Sequence, residues 1–142
     1  MQQAVHFVTI ATPNLDAARE FYVDGLGWTP QLDVPDEILF FQIAPGLLLG
    51  LFDANKFAAD TGVPAADLSA QGLTLAHNVA SPADVDVLVE RLAGLGGTVT
   101  KPPQESAFGG TYHAHLRDPN GVLWEIAHNP SWHIEPDGSV AL

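Results

Sequence analysis

At 142 residues the chain is long enough for one compact domain with a real core, and 46% of its residues are apolar. It has no cysteine, which excludes disulfides, thiolate metal sites and cysteine nucleophiles together. Seventeen acidic residues against five basic ones give a formal charge of −12, a balance that disfavours nucleic acid and is compatible with a cationic ligand. No apolar run approaches the roughly 18 residues needed to cross a bilayer, and no basic-then-apolar leader opens the chain, so the reading is a soluble, cytoplasmic protein.

Residues 5–11 alternate as a strand, and Asn14 can cap a helix running to about Gly25. Its apolar stripe is Ala17, Ala18, Phe21, Tyr22 and Leu26, and Gly27 stops it. Residues 29–34 allow a further strand; 37–43 and 47–52 read as two strands joined at Ala44-Pro45-Gly46. Residues 53–71 form an Ala- and Asp-rich connector with little periodicity. The order then repeats. GLTLAHNV is a strand, and Ser81-Pro82-Ala83-Asp84 starts a helix with a Ser cap and Pro at its first position. Val85, Leu88, Val89 and Leu92 form the stripe, and Gly94, Gly96 and Gly97 end it. Strands follow over 98–101, 111–117 and 122–128, the last two joined by Asp118-Pro119-Asn120-Gly121. Residues 129–142 read as an irregular tail.

The organisation is α+β, βαβββ written twice: module one over about 4–52, module two over about 72–128, in a single domain spanning 1–142. The halves should pair about a pseudo-twofold axis, with a curved mixed sheet enclosing a cavity. Gly46 and Gly121 are equivalent turn positions, and Gly50 stands where Glu125 stands in the second half.

Strand parity separates a bulky apolar face, suited to pack beneath helices, from a face that is mostly small or polar. Phe7, Thr9 and Ala11, Thr74, Ala76 and Asn78, and Leu123, Glu125 and Ala127 share the second face. A four-residue turn that leaves Arg117 opposite Val122 sets Ala114 against Glu125 and Tyr112 against Ala127. The same construction sets Phe41 against Gly50. The candidate ligand pocket is therefore Phe7, Thr9 and Phe41 at one end and Thr74, Asn78, Tyr112 and Glu125 at the other. A one-residue slip would reverse the faces and place His115 beside Glu125 as an acid–base pair.

The helix entry TPNLDAAREFYVDGLGW and the ending RDPNGVLWEIAHNP, in two βαβββ halves, resemble the vicinal oxygen chelate superfamily, which includes glyoxalase I, extradiol dioxygenases and bleomycin-resistance proteins. The resemblance covers residues 4–130 and implies a homodimer with a small-molecule cavity. In metal-using members it implies ligands on the first and last strands of each half, here Phe7, Gly50, Thr74 and Glu125. Only Glu125 among them is a good ligand, and one carboxylate cannot supply the several donors such ions need. His6, His77, His113, His115 and His128 fall on the opposite parity, although His113 and His115, two apart, could chelate a metal in principle.

The sequence thus favours a binding protein without metal or other cofactor, similar in kind to the bleomycin-resistance group, that sequesters a drug or metabolite. Glu125 would anchor the ligand. The alternatives are a glyoxalase-like lyase or isomerase with Glu125 as general base, a metal enzyme using the histidines, and a dimerisation module with no ligand. The tail around Trp132 would close the pocket or pack across the dimer.

Overall fold

The computed structural model describes residues 3–107 and 110–141. The elements run β1 (Phe7–Thr12), α1 (Leu15–Arg19) continuing into a π-helical turn (Glu20–Gly25), β2 (Leu32–Val34), β3 (Ile38–Ala44) and β4 (Leu47–Asp53). After the connector come β5 (Thr74–Asn78), α3 (Pro82–Gly94), β6 (Thr98–Glu105), β7 (Tyr112–Arg117) and β8 (Leu123–His128). Two four-stranded sheets result, ordered β1-β4-β3-β2 and β5-β8-β7-β6. In each, the last strand of the module lies parallel to the first, and the remaining pairs are antiparallel. The expected α+β class and the twofold βαβββ repeat are both present, as two curved sheets that do not close on each other.

Helix entry follows local chemistry. Asn14 accepts from Ala17 N, and Ser81 accepts from Asp84 N with Pro82 at the first helical position. The connector is more ordered than its composition suggests. Asp53 accepts from Asn55 N and Lys56 N to start α2 (Ala54–Thr61), which Gly62 ends at φ +72°; a short 3-10 turn follows at Ala65–Asp67. The tail likewise pairs β9 (His133–Ile134) with β10 (Val140–Ala141) instead of remaining irregular.

The core lies on the helix side of both sheets. Ala18, Phe21, Tyr22, Leu39, Phe41, Leu49, Val85, Leu92, Leu116 and Ile126 are all essentially inaccessible there. Polar bonds then fix how module one meets module two. Buried Tyr22 donates to Asp118 Oδ2 (2.9 Å), and Trp124 Nε1 donates to the Tyr22 hydroxyl (3.1 Å). Asn120 accepts from Asn14 N (2.7 Å) and donates to Asn14 O (3.0 Å), so the β7–β8 turn clasps the start of α1. Burial pushes the Asp118 carboxyl above its ordinary range despite these donors, and burial with Asp118 nearby raises the Tyr22 hydroxyl.

Both hairpin registers differ by one residue from the sequence expectation, for two separate reasons. In module two, Asp118 joins the ladder (Asp118 N donates to Val122 O, 2.9 Å), leaving the three-residue loop Pro119-Asn120-Gly121 with Gly121 at φ +91°. The pairs are therefore Arg117 with Leu123, His115 with Glu125, Ala114 with Ile126 and Tyr112 with His128. In module one the turn is as expected, Ala44 facing Leu47, but a bulge at Ile43 shifts the rest, so Phe40 faces Gly50 and Phe41 faces Leu49.

Replacing Tyr22 by Phe leaves Trp124 Nε1 and one Asp118 oxygen without their partner. The expected cost in urea denaturation is about 1–3 kcal/mol, and Asn120→Ala is expected to cost about 1 kcal/mol. A loss within about 0.5 kcal/mol for both variants, the range of ordinary surface substitutions, would contradict the clasp.

Candidate functional site

The corrected register changes which residues meet. On β8, Trp124 and Ile126 point into the core, while Leu123, Glu125 and Ala127 lie on the opposite face. Thr74, Ala76 and Asn78 of β5 pair with these three and are exposed. From β7 the same face receives His113 and His115, not Ala114 or Tyr112. The sequence expectation that these two histidines oppose Glu125 is therefore corrected. His77 and His128 do remain on the helix side: His77 pairs with Ile126, and His128 Nδ1 lies 3.3 Å from Val79 O.

Strand β6 completes the cluster. Its bulge between Val99 and Lys101 turns Lys101 to pair with His115, and its prolines at 102 and 103 are tolerated on an edge strand. Lys101 Nζ lies 2.7 Å from His113 Nε2. An ammonium only donates, so His113 Nε2 accepts and the ring proton sits on Nδ1. That Nδ1 is 3.6 Å from Glu125 Oε1, and His115 Nε2 is 3.9 Å from the same oxygen. The imidazoles meet edge to face, 5.3 Å between centroids. Desolvation, the largest cause, lowers the His115 pKa, helped by His113 and Lys101 and opposed by Glu125. A neutral imidazole beside a carboxylate can accept a proton; a ligand hydroxyl or amine can be held between them.

The other expected site residues divide. Phe7 and Thr9 lie on the face of β1 that meets Gly50, as expected from parity; Phe7 packs on Phe40 at 5.7 Å between ring centroids. Phe41 does not belong to that face. It is buried, stacks on Tyr22, and lines only a recess on the helix side with Trp28 and His77. Tyr112 is also turned away, donating to Asp86 Oδ1 of α3 (3.0 Å). Thus Thr74, Asn78 and Glu125 come together on one sheet, whereas Phe7 and Thr9 sit on the other and Phe40 replaces Phe41. The residues missed by sequence reasoning are Lys101 and Phe40, whereas His113 and His115 are named by it but placed on the other face, with His115 beside Glu125 only as the outcome of a one-residue slip. The Pro-Asn-Gly turn is the signal for that slip, and the Pro102-Pro103 pair is the signal that marks β6 as an edge strand.

The residues at the positions where the resemblance implies metal ligands do not fit an ion. Phe7 and Gly50 offer no side-chain donor and Thr74 only a hydroxyl. A Cβ added at Gly50 would meet Phe40 Cε1 at 2.9 Å, so an aromatic ring occupies the space a longer ligand would need. Among the described residues no group of three or more His, Asp or Glu side chains is arranged to hold a metal ion.

Comparison with known proteins agrees with this fold. The family model described as the Glyoxalase/Bleomycin resistance protein/Dioxygenase superfamily matches residues 4–126. A glyoxalase-related enzyme from Fulvimarina pelagi is 35% identical, with a TM-score of 0.87 and 99% of each chain covered. A lactoylglutathione lyase from Agrobacterium tumefaciens is 26% identical with a TM-score of 0.64, covering 89% of this chain and 94% of that one. A lactoylglutathione lyase of Arabidopsis thaliana is 29% identical over 122 residues; the match takes in 80% of this chain and 40% of that relative's length.

A histidine whose folded pKa is lowered gives up a proton that the unfolded chain keeps. Its contribution to stability is therefore lost as pH falls from about 6.5 toward the folded value. By NMR, the His115 ring is expected to titrate with a midpoint below 6.5. His115→Gln should lose less stability than the parent protein on acidification through that window. A His115 midpoint above 6.5 would contradict the partly buried, neutral ring.

Proposed function

Because the chain belongs to the Glyoxalase/Bleomycin resistance protein/Dioxygenase superfamily, we propose that it binds a small drug-like molecule or metabolite without a metal, in the manner of the bleomycin-resistance members. The observation that carries this reading is the donor set: Phe7, Gly50 and Thr74 accompany Glu125, and the Phe40 ring lies against Gly50. Those residues offer aromatic surface and one carboxylate in place of a ring of chelators. Glu125 accepts a hydrogen bond from the ligand's hydroxyl or amine, and Thr74 and Asn78 orient it. A cationic head group suits Glu125 and the acidic balance of the chain.

The ligand-facing surfaces are open in the single chain: Phe7 is 54% exposed, and Thr9, Thr74 and Asn78 are exposed as well. A second copy covering those faces is part of the same proposal, giving a homodimer in which module faces combine around the ligand.

A second reading is favoured by one feature, the approach of His113 and His115 to Glu125 at 3.6 and 3.9 Å. Such a group can take a proton from carbon beside a carbonyl and return it to the neighbouring carbon, which is isomerase or lyase chemistry. The name of the Arabidopsis relative agrees with that reading.

Two probes separate the readings. The chelator-treated protein is expected to bind bleomycin saturably and to leave the hemithioacetal of methylglyoxal and glutathione unconverted. Glu125→Gln is expected to weaken bleomycin binding about tenfold or more, the size of a lost charge-assisted hydrogen bond. Turnover of the hemithioacetal that Glu125→Gln abolishes would replace sequestration by isomerisation. Restoration of either property only by added divalent metal would overturn both.

A further inference from the structure

A cleft of about 450 Å³ lies between β1, the connector and the β7–β8 turn, and neither Glu125 nor His113 nor His115 lines it. Thr9, Ser69, Gln71 and Asn120 contribute polar atoms to it, and Phe57 and Leu68 form part of an apolar wall. Among the described residues Arg117 is the one charged side chain that lines it; none of the seventeen acidic residues does. In a chain of net charge −12 this lining carries one cation and no carboxylate.

Arg117, like Arg91 and Lys101, has no carboxylate partner among the described residues, and of these three it is the one that lines the cleft. Arg19 is matched by Asp16 and Asp33 at 2.7 and 2.8 Å, and Lys56 by Glu37 at 3.2 Å. Arg117 instead donates from Nη1 to the carbonyl of Gly121 at 2.8 Å. That bond to the turn fixes the guanidinium without neutralising it. Among the described residues its remaining N–H groups have no acceptor. A guanidinium held in one orientation presents a fork of donors matched to a carboxylate.

We propose that this cleft binds a small monocarboxylate with an apolar body, its carboxylate on Arg117 and its body against Phe57 and Leu68. Ser69 and Gln71, one on each side of Ala70 in the connector, supply neutral donors at the rim. The cleft shares Thr9 with the open face of β1, but it includes none of Glu125, His113 and His115, and the assignment does not rest on whether Glu125 binds or converts a ligand.

The test is a titration of the full chain with phenylacetate, phenylacetamide and phenyl phosphate, followed by backbone amide NMR. Phenylacetate is expected to give saturable shifts centred on Thr9, Ser69 and Gln71, with at least about tenfold weaker binding of the amide. Arg117→Gln should remove that preference and Arg117→Lys should keep part of it. Since Arg117→Gln also loosens the turn, Phe57→Ala provides the second arm: it should weaken phenylacetate while leaving acetate unchanged. Equal affinity for acid and amide, a folded Arg117→Gln protein with unchanged affinity, tighter binding of phenyl phosphate, or shifts confined to other regions would each overturn the assignment.

Discussion

The carboxylate of Asp118 decides the geometry on which the rest of the molecule depends. One oxygen accepts from the backbone of Asn120 and Val122 at 2.9 and 2.8 Å, and the other accepts from the Tyr22 hydroxyl. The first pair of bonds makes a tight turn, and a tight turn fixes how β7 slides against β8. The third bond reaches across to module one, where Tyr22 also receives the indole N–H of Trp124. A single buried acid thereby sets a strand register and a module interface together. Because side chains alternate with a period of two along a strand, that register also decides which of them meet Glu125.

With the register so fixed, β6, β7 and β8 bring Lys101, His113, His115 and Glu125 onto one face. The chain of contacts has a direction. An ammonium that can only donate orients one imidazole, whose proton then points toward the carboxylate; the second imidazole approaches the same carboxylate oxygen and is neutral because it is partly buried. Strands carry all four side chains, and the grouping has the geometry that the proposed acid–base role would use. On the first sheet the corresponding region holds the Phe7 and Phe40 rings, so the repeat of the fold is not accompanied by a repeat of the chemistry.

Much of the architecture was legible in the amino-acid order. The helix caps at Asn14 and Ser81, the spacing of Phe21 and Tyr22, and the turn residues about Gly46 and Gly121 each carry a local signal, and the duplication reinforces every one of them. The face carrying Thr74, Asn78 and Glu125 follows from alternation alone. What alternation cannot supply is relative phase between strands. That phase depended on whether Asp118 belongs to the loop or to the ladder, and on a bulge at Ile43 that no glycine or proline marks. Alternation with the wrong phase therefore puts Phe41 and Tyr112 on the face of Glu125, whereas Phe41 supports Tyr22 in the core and Tyr112 bonds to α3. The order within the connector was obscured by its composition, although Asp53 and Gly62 bracket a regular helix start and stop.

Charge adds a second layer that net composition conceals. The chain is strongly acidic, yet Arg117 lines a cleft without carboxylates and Lys101 stands beside His113. Global charge governs approach and solubility, while recognition is set by these local groupings.

The strand phase at the β7–β8 hairpin is the central claim, and cross-strand nuclear Overhauser contacts measure it most directly. The account predicts backbone contacts pairing His115 with Glu125 and Ala114 with Ile126, together with side-chain contacts from Lys101 to the His113 ring. Contacts pairing Ala114 with Glu125 and Tyr112 with Ala127 would contradict it, returning the histidines to the helix side and dissolving the proposed acid–base cluster.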